Sequence, residues 1–283
     1  IGEIGICVFG AGYLVDFCYS ASAAFHLRER IPLLEQELEK KQVELMLKVN
    51  QRMNSLEFSR GLPLEVLKEK MEVKKIDKRA SMEFYVGILN GKEVVIVKCG
   101  VGKVNAAVCT QILADCYQVE AVINTGVAGS LRAEINIGDI VVSTDALQHD
   151  MDATGFGYEP AEIPLMGKKT FEADASLRSL IAETCREVNP EIGVFEGRVV
   201  SGDQFISDGD VKERLVRMFA PYCTEMEGAA IAHAAWLNKV PFVVLRAISD
   251  KADDSASMDY NVFERNAAEA SVRLVERLLE LDA

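Results

Sequence analysis

From residue 83 onward, short apolar runs rich in β-branched residues alternate with segments of helical period. That alternation constrains the fold more than any single motif. Glu83-Phe-Tyr-Val-Gly-Ile-Leu89 and Lys92-Glu-Val-Val-Ile-Val-Lys98 flank Asn90-Gly91, a pair suited to a two-residue hairpin turn. Val104 to Cys116 has helical spacing, while Ala121 to Asn124 and Ile140 to Ser143 read as buried strands. Ala175 to Val188 reads as a helix, Gly193 to Val200 as a strand, Gly228 to Leu237 as a helix and Phe242 to Arg246 as a strand. Ala267 to Leu281 closes the chain as an amphipathic helix. Strands alternating with helices predict an α/β fold, with a mostly parallel or mixed sheet covered on both faces.

The first 63 residues have another texture. Ile4 to Phe9 reads as a short buried strand and Gly10-Ala-Gly12 as a turn after it. A dinucleotide-binding turn would need a further glycine where Val15 stands, so no such cofactor is expected. Asp16 interrupts the apolar stretch 4–25 and would cost about 2.5–3.5 kcal/mol inside a bilayer, so a membrane anchor is not expected either. In residues 27–58, Ile31, Leu34, Leu38, Leu45, Val49, Met53 and Leu56 mark an amphipathic helix, either covering a core or meeting a partner helix. Gly61-Leu-Pro63 breaks it. The predicted organisation is an atypical segment 1–63 followed by one domain, 64–283.

A formal net charge of -13 argues against nucleic acid or an anionic membrane surface as partner. Seven scattered cysteines with no Cys-x-x-Cys pair suggest reduced thiols in a cytoplasmic protein. With three histidines, a His-rich metal site is not expected.

Five segments follow or end the apolar runs: Lys98-Cys-Gly-Val-Gly-Lys103, Asn124-Thr-Gly-Val-Ala-Gly-Ser130, Ser201-Gly-Asp-Gln-Phe-Ile206, Glu225-Met-Glu227 and Arg246-Ala-Ile-Ser-Asp250. Ligands of α/β folds bind at such strand ends. Two carboxylates and an aromatic on one rim can bind a sugar, stack a flat ring and move a proton. Each segment also has a plain reading. The glycines can form tight turns, Phe205 can belong to the core, Glu225 to Glu227 can be an acidic helix start, and Asp250 can cap a helix.

In this order the segments resemble the 5'-methylthioadenosine/S-adenosylhomocysteine nucleosidases, within the nucleoside phosphorylase superfamily, over residues 82–283. The resemblance implies a three-layer α/β fold with a mixed central sheet and flanking helices. It implies hydrolysis of the N-glycosidic bond of both nucleosides; from the residues themselves, no cofactor and no metal are expected. Val101, Ala128 and Gly129 would lie against the nucleoside. Phe205 would stack on adenine, and the backbone of Ile206 would bond the base edge. Met226 would pack on the sugar and Glu227 would accept from the ribose hydroxyls. Asp250 would protonate N7, held by Ser249. The family forms homodimers in which an aromatic, matched by Phe156, closes the alkylthio end of the partner's pocket.

Two departures matter. Hexameric phosphorylases of the superfamily hold phosphate with an arginine where this chain has Asn124, and with a Gly-Asp-Pro-x-Arg loop that is absent here. Water is then the expected nucleophile, since a phosphate dianion needs cationic partners. Arg132 is either a substitute or a solvated surface residue. The family's Gly-x-Met-Glu-x-Glu run, whose last glutamate activates water, does not follow Gly10. Glu65, in Leu64 to Lys70, is the nearest match, and is otherwise a surface helix residue. Two alternatives stay open: another purine nucleoside hydrolase or phosphorylase, or a nucleoside-binding protein that has lost its base.

Overall fold

The computed structural model describes residues 67–252, 272–278 and 280, all within the compact unit Ser59–Ala283. The expectations for residues 1–66, Glu65 included, lie outside the described residues. So does the closing helix apart from 272–278 and 280, which are helical.

Three strands, β1 (Glu72–Arg79), β2 (Met82–Leu89) and β3 (Lys92–Val97), form an antiparallel meander. Asn90 and Gly91 turn between β2 and β3 with φ of 48° and 80°, both in the left-handed region. That is the backbone a type I′ hairpin requires. Strand β1 was not expected from the sequence, because six of the eight residues of Glu-Val-Lys-Lys-Ile-Asp-Lys-Arg are charged and Val73 and Ile76 make no apolar alternation. Among the described residues it is an edge strand, where lysines deter a further strand from adding. Phe84 of β2 stacks on Tyr117 at 5.3 Å, tying the meander to helix α1 (Lys103–Tyr117).

The larger sheet contains β4 (Val122–Ser130), β5 (Ile140–Gln148), β6 (Phe171–Glu172), β7 (Val194–Ser201), β8 (Cys223–Glu225) and β9 (Phe242–Asp250). Their spatial order is β6-β5-β7-β8-β4-β9, and β5 also pairs with β9. The pairs β4–β9, β5–β7 and β7–β8 are parallel, while β4–β8 and β5–β9 are antiparallel, so the sheet is mixed and curls back on itself. The antiparallel β5–β9 ladder ends at Val142 and Leu245, and beside it the Ser143 hydroxyl accepts the Val244 N–H at 2.9 Å.

Helices α1, α2 (Ala175–Val188), α3 (Gly209–Phe219) and α4 (Gly228–Asn238) accompany the sheet. Asp174 starts α2 by accepting the Leu177 N–H at 2.8 Å. Helix α4 is apolar nearly all round, and Ala229, Ala232 and Ala235 have no exposed surface. Side chains this small allow a helix to lie close to the sheet, against Val141, Val142, Val243 and Val244 in the main core. Helix α3 was also missed, although Asp208 caps it and Val211, Leu215 and Phe219 recur at four-residue steps.

The strands run further than their apolar stretches. Asn124 to Ser130 is strand, not a turn, and Ser249 and Asp250 are the end of β9. The parallel ladder from Val122 opposite Phe242 to Gly129 opposite Asp250 carries both through. Among the described residues no helix is long and apolar enough to cross a membrane.

Candidate active site

The ladders decide which side chains share a rim. Gly129 lies opposite both Thr224 and Asp250, and Ser201 opposite Glu225, so the ends of β4, β7, β8 and β9 meet there. A narrow cleft at this rim is lined by Gly129, Phe205, Ile206, Met226 and Asp250, together with Gln204, Thr224 and Glu225. The Thr224 hydroxyl is buried with no hydrogen-bond partner among the described protein groups.

One wall of the cleft belongs to a buried charge pair. All nine residues of β9 are buried, Arg246 among them. A guanidinium inside a strand demands a carboxylate, and Glu225 supplies it: Arg246 Nε donates to Glu225 Oε2 at 3.1 Å, and Nη2 donates to the same oxygen. Arg246 Nη2 also reaches Asn124 Oδ1 at 2.6 Å. Glu225 accepts from the Ser201 hydroxyl, from Gly228 N–H at 2.8 Å and from Glu227 N–H at 3.0 Å. Burial works against ionisation of Glu225, but the Arg246 guanidinium and these donors outweigh it and hold the carboxyl below its usual range. The glycines of β4 serve close approach. A Cβ on Gly126 would stand 2.5 Å from Arg246 Nη1, and one on Gly129 would stand 2.7 Å from Asp250 Oδ1.

Glu227 is held differently. It immediately precedes the buried helix α4, and its Oε1 accepts the Gly102 N–H at 2.8 Å. Burial raises its pKa, with Glu225 adding to the rise and Arg246 partly countering it. Two glutamates two positions apart are thus pushed in opposite directions. One is the counter-ion of Arg246, and the other is a half-buried carboxylate bonded to the Gly102 amide.

Asp250 is 2% exposed; its Oδ2 accepts from the Ser249 hydroxyl at 2.8 Å and its Oδ1 from Ala252 N–H at 2.8 Å. Ser249 thus orients one carboxyl oxygen and leaves the group beside the cleft. Of the other expected site residues, Ile206 and Ala128 are buried, whereas Phe205 is 57% exposed at the cleft. Val101 is 64% exposed next to Gly102, and Phe156, in a 3-10 turn Thr154–Phe156, is 89% exposed. Neither lines the cleft. Arg132 donates to the carbonyls of Ala220 and Pro221 at 3.1 Å and sits over the Tyr222 ring, so it satisfies groups just past the end of α3. The sequence reading missed the Arg246–Glu225 pair, although an arginine inside Phe-Val-Val-Leu-Arg-Ala was the signal for it. Among the described residues no group of three His, Cys, Asp or Glu side chains forms a metal site.

The phosphorylase superfamily model matches residues 59–280. A 5'-methylthioadenosine/S-adenosylhomocysteine nucleosidase of Treponema pallidum is 42% identical, over 71% of this chain and 83% of that protein. The solved nucleosidase of Neisseria meningitidis, in complex with methylthio-immucillin-A, superposes with a TM-score of 0.74 at 33% identity, covering 79% of this chain and 96% of that one. The nucleosidase of Colwellia psychrerythraea 34H, in complex with adenine, gives a TM-score of 0.74 at 36% identity, covering 78% and 91%.

Proposed function

Since the chain belongs to the 5'-methylthioadenosine/S-adenosylhomocysteine nucleosidases of the phosphorylase superfamily, we propose that it hydrolyses the N-glycosidic bond of both nucleosides, with Asp250 as the acid and Glu227 as the ribose carboxylate. The observation that carries these roles is the meeting of Asp250, Phe205, Ile206 and Met226 on one cleft, with Glu227, next in the chain to Met226, held at the Gly102 amide. Adenine stacks on Phe205 and bonds the Ile206 backbone, with Val101, Ala128 and Gly129 against the nucleoside. Asp250 gives a proton to N7, and the bond from C1' to N9 breaks with its electrons passing to the purine. The ribosyl group gains oxocarbenium character, and Glu227 strengthens its bonds to the ribose hydroxyls as that charge grows. Water adds to C1' and yields its proton to a base, a role we assign to Glu65.

The test is adenine release from methylthioadenosine with and without phosphate. A free reducing sugar and no phosphate dependence are expected, because Asn124 serves Arg246 and Arg132 serves backbone carbonyls. A ribose 1-phosphate product would make the enzyme a phosphorylase.

Glu227 has its own signature. Glu227→Gln keeps an acceptor for Gly102 but removes the charge, and kcat/KM should fall about 10- to 100-fold, the worth of a charged hydrogen bond of roughly 1.5–3 kcal/mol. Because burial raises its pKa, activity should decline as pH falls through a value above the usual carboxylate range. That acid limb should vanish in the variant. An unchanged limb removes Glu227 from the charge-stabilising role.

Phe156, so exposed in one protomer, fits the expected homodimer in which it closes the partner's alkylthio subsite. The scattered cysteines suit a cytoplasmic setting, where the products would feed methionine salvage.

A further inference from the structure

Two backbone amides at the start of α1 are taken by carboxylates from two other loops. Gly102 N–H donates to Glu227 Oε1 and Lys103 N–H to Asp203 Oδ1, each at 2.8 Å. The positive end of this 15-residue helix favours both anions. Asp203 in turn donates its own N–H to Asp150 Oδ2 at 2.9 Å, and Lys103 Nζ reaches Asp150 Oδ1 at 2.7 Å. The three residues therefore close a ring: Lys103 to Asp203, Asp203 to Asp150, Asp150 back to Lys103.

That ring joins three chain segments which carry the site. Lys103 follows the Val101–Gly102 turn, Asp150 follows the end of β5, and Asp203 opens the loop bearing Phe205 and Ile206. The side chains of Lys103 and Asp150 are 18% and 16% exposed, so salt and water screen the pair less than a surface ion pair. Lys103 Nζ is steadied further by Gln148 Oε1 at 3.2 Å. Gly102 makes the approach feasible. Its φ of 92° suits glycine alone, and a Cβ there would stand 3.0 Å from Asp203 Oδ1.

We infer that Lys103, Asp150 and Asp203 form a positioning clamp that sets the distance between the Glu227 carboxylate and the Phe205–Ile206 loop, a role that rests on the nucleosidase reading. The base and the ribose of one nucleoside must be held at the same time. A clamp between their two binding elements acts on both, although none of its members is assigned to touch substrate. Glu227 is faced by Arg246 from β9, Glu225 from β8, and Cys99 and Gly102 N–H from the turn before α1. Loosening that turn weakens the Gly102 bond, one of the contacts that favours the ionised form of Glu227.

The experiment compares wild type with Asp203→Ala, Asp203→Asn and Lys103→Met in adenine release from methylthioadenosine across pH. Asp203→Ala should lose about 10- to 100-fold in kcat/KM, as misplacement of about 1 Å can cost, and its acid limb should move to higher pH. Asp203→Asn retains an oxygen acceptor for Lys103 N–H and should recover most of the rate and the wild-type limb. Lys103→Met should fall between them. A wild-type profile for Asp203→Ala, or equal losses in the Ala and Asn variants, overturns the clamp. Amide hydrogen exchange gives a readout that does not depend on turnover. Asp203→Ala should accelerate exchange at residues 102–103 and 203–206 more than tenfold, and unchanged exchange overturns the clamp even if wild type releases no adenine. That last result would instead refute the nucleosidase reading.

Discussion

Asp250→Asn should lower kcat by about 10²- to 10⁴-fold, the range that a positioned general acid contributes. The amide is the same size as the carboxyl and keeps an oxygen that can accept the Ala252 N–H, so β9 should pack as before. The Ser249 hydroxyl can rotate to accept where it now donates. What the amide cannot do is transfer a proton to N7, and adenine must then leave as an anion. Binding of adenine should change only severalfold, because Phe205 and the Ile206 backbone are untouched. Single-turnover adenine release and adenine affinity together check this. A variant within threefold of wild type in turnover removes Asp250 from the acid role.

The largest effect on stability is expected at Glu225. Glu225→Ala leaves the Arg246 guanidinium buried without its counter-ion, and also removes the acceptor for Ser201 and for the Glu227 and Gly228 amides. Breaking a buried pair from one side costs about 3–5 kcal/mol. Against a typical stability of about 5–15 kcal/mol, that is a large share. Denaturant unfolding should show this loss, and adding Arg246→Met should restore part of it, because the second change removes the stranded charge. If the double variant is less stable than Glu225→Ala alone, the pair is not the source of the loss.

Acid unfolding carries the same signature with a definite sign. The Glu225 carboxyl is held lower in the folded state than in the unfolded chain, so between the two values the unfolded state binds more protons. Its contribution is present above the unfolded carboxylate value and is lost as pH falls through the folded one. In Glu225→Gln this part of the acid sensitivity should disappear.

Helix α2 was legible to the residue, and the Asn90–Gly91 hairpin was legible as a turn, because capping and left-handed backbone are decided by adjacent residues. The α/β class followed from alternating periods for the same reason. Helix α3 had a cap and an apolar period too, but basic and acidic residues between them hid the pattern. Strand β1 left no such mark, since an edge strand needs neither an apolar face nor a regular alternation.

The site divides along the same line. Phe205, Ile206, Met226, Glu227, Ser249 and Asp250 could be named from the family that their segments resemble, while the meeting of Phe205, Ile206, Met226 and Asp250 at one cleft depended on ladders between distant strands. Nothing local distinguishes Glu225 from Glu227. One is bound to Arg246, 21 positions on, and the other to Gly102, 125 positions back. Local signals reach a few residues along the chain, whereas the charge state of a carboxyl answers to whatever the fold brings within about 4–6 Å of it. The sequence therefore determined most of the elements and the candidate chemistry, though not β1 or α3. Which glutamate pairs with Arg246 and which accepts the Gly102 amide was decided only when β8, β9 and the start of α1 came together.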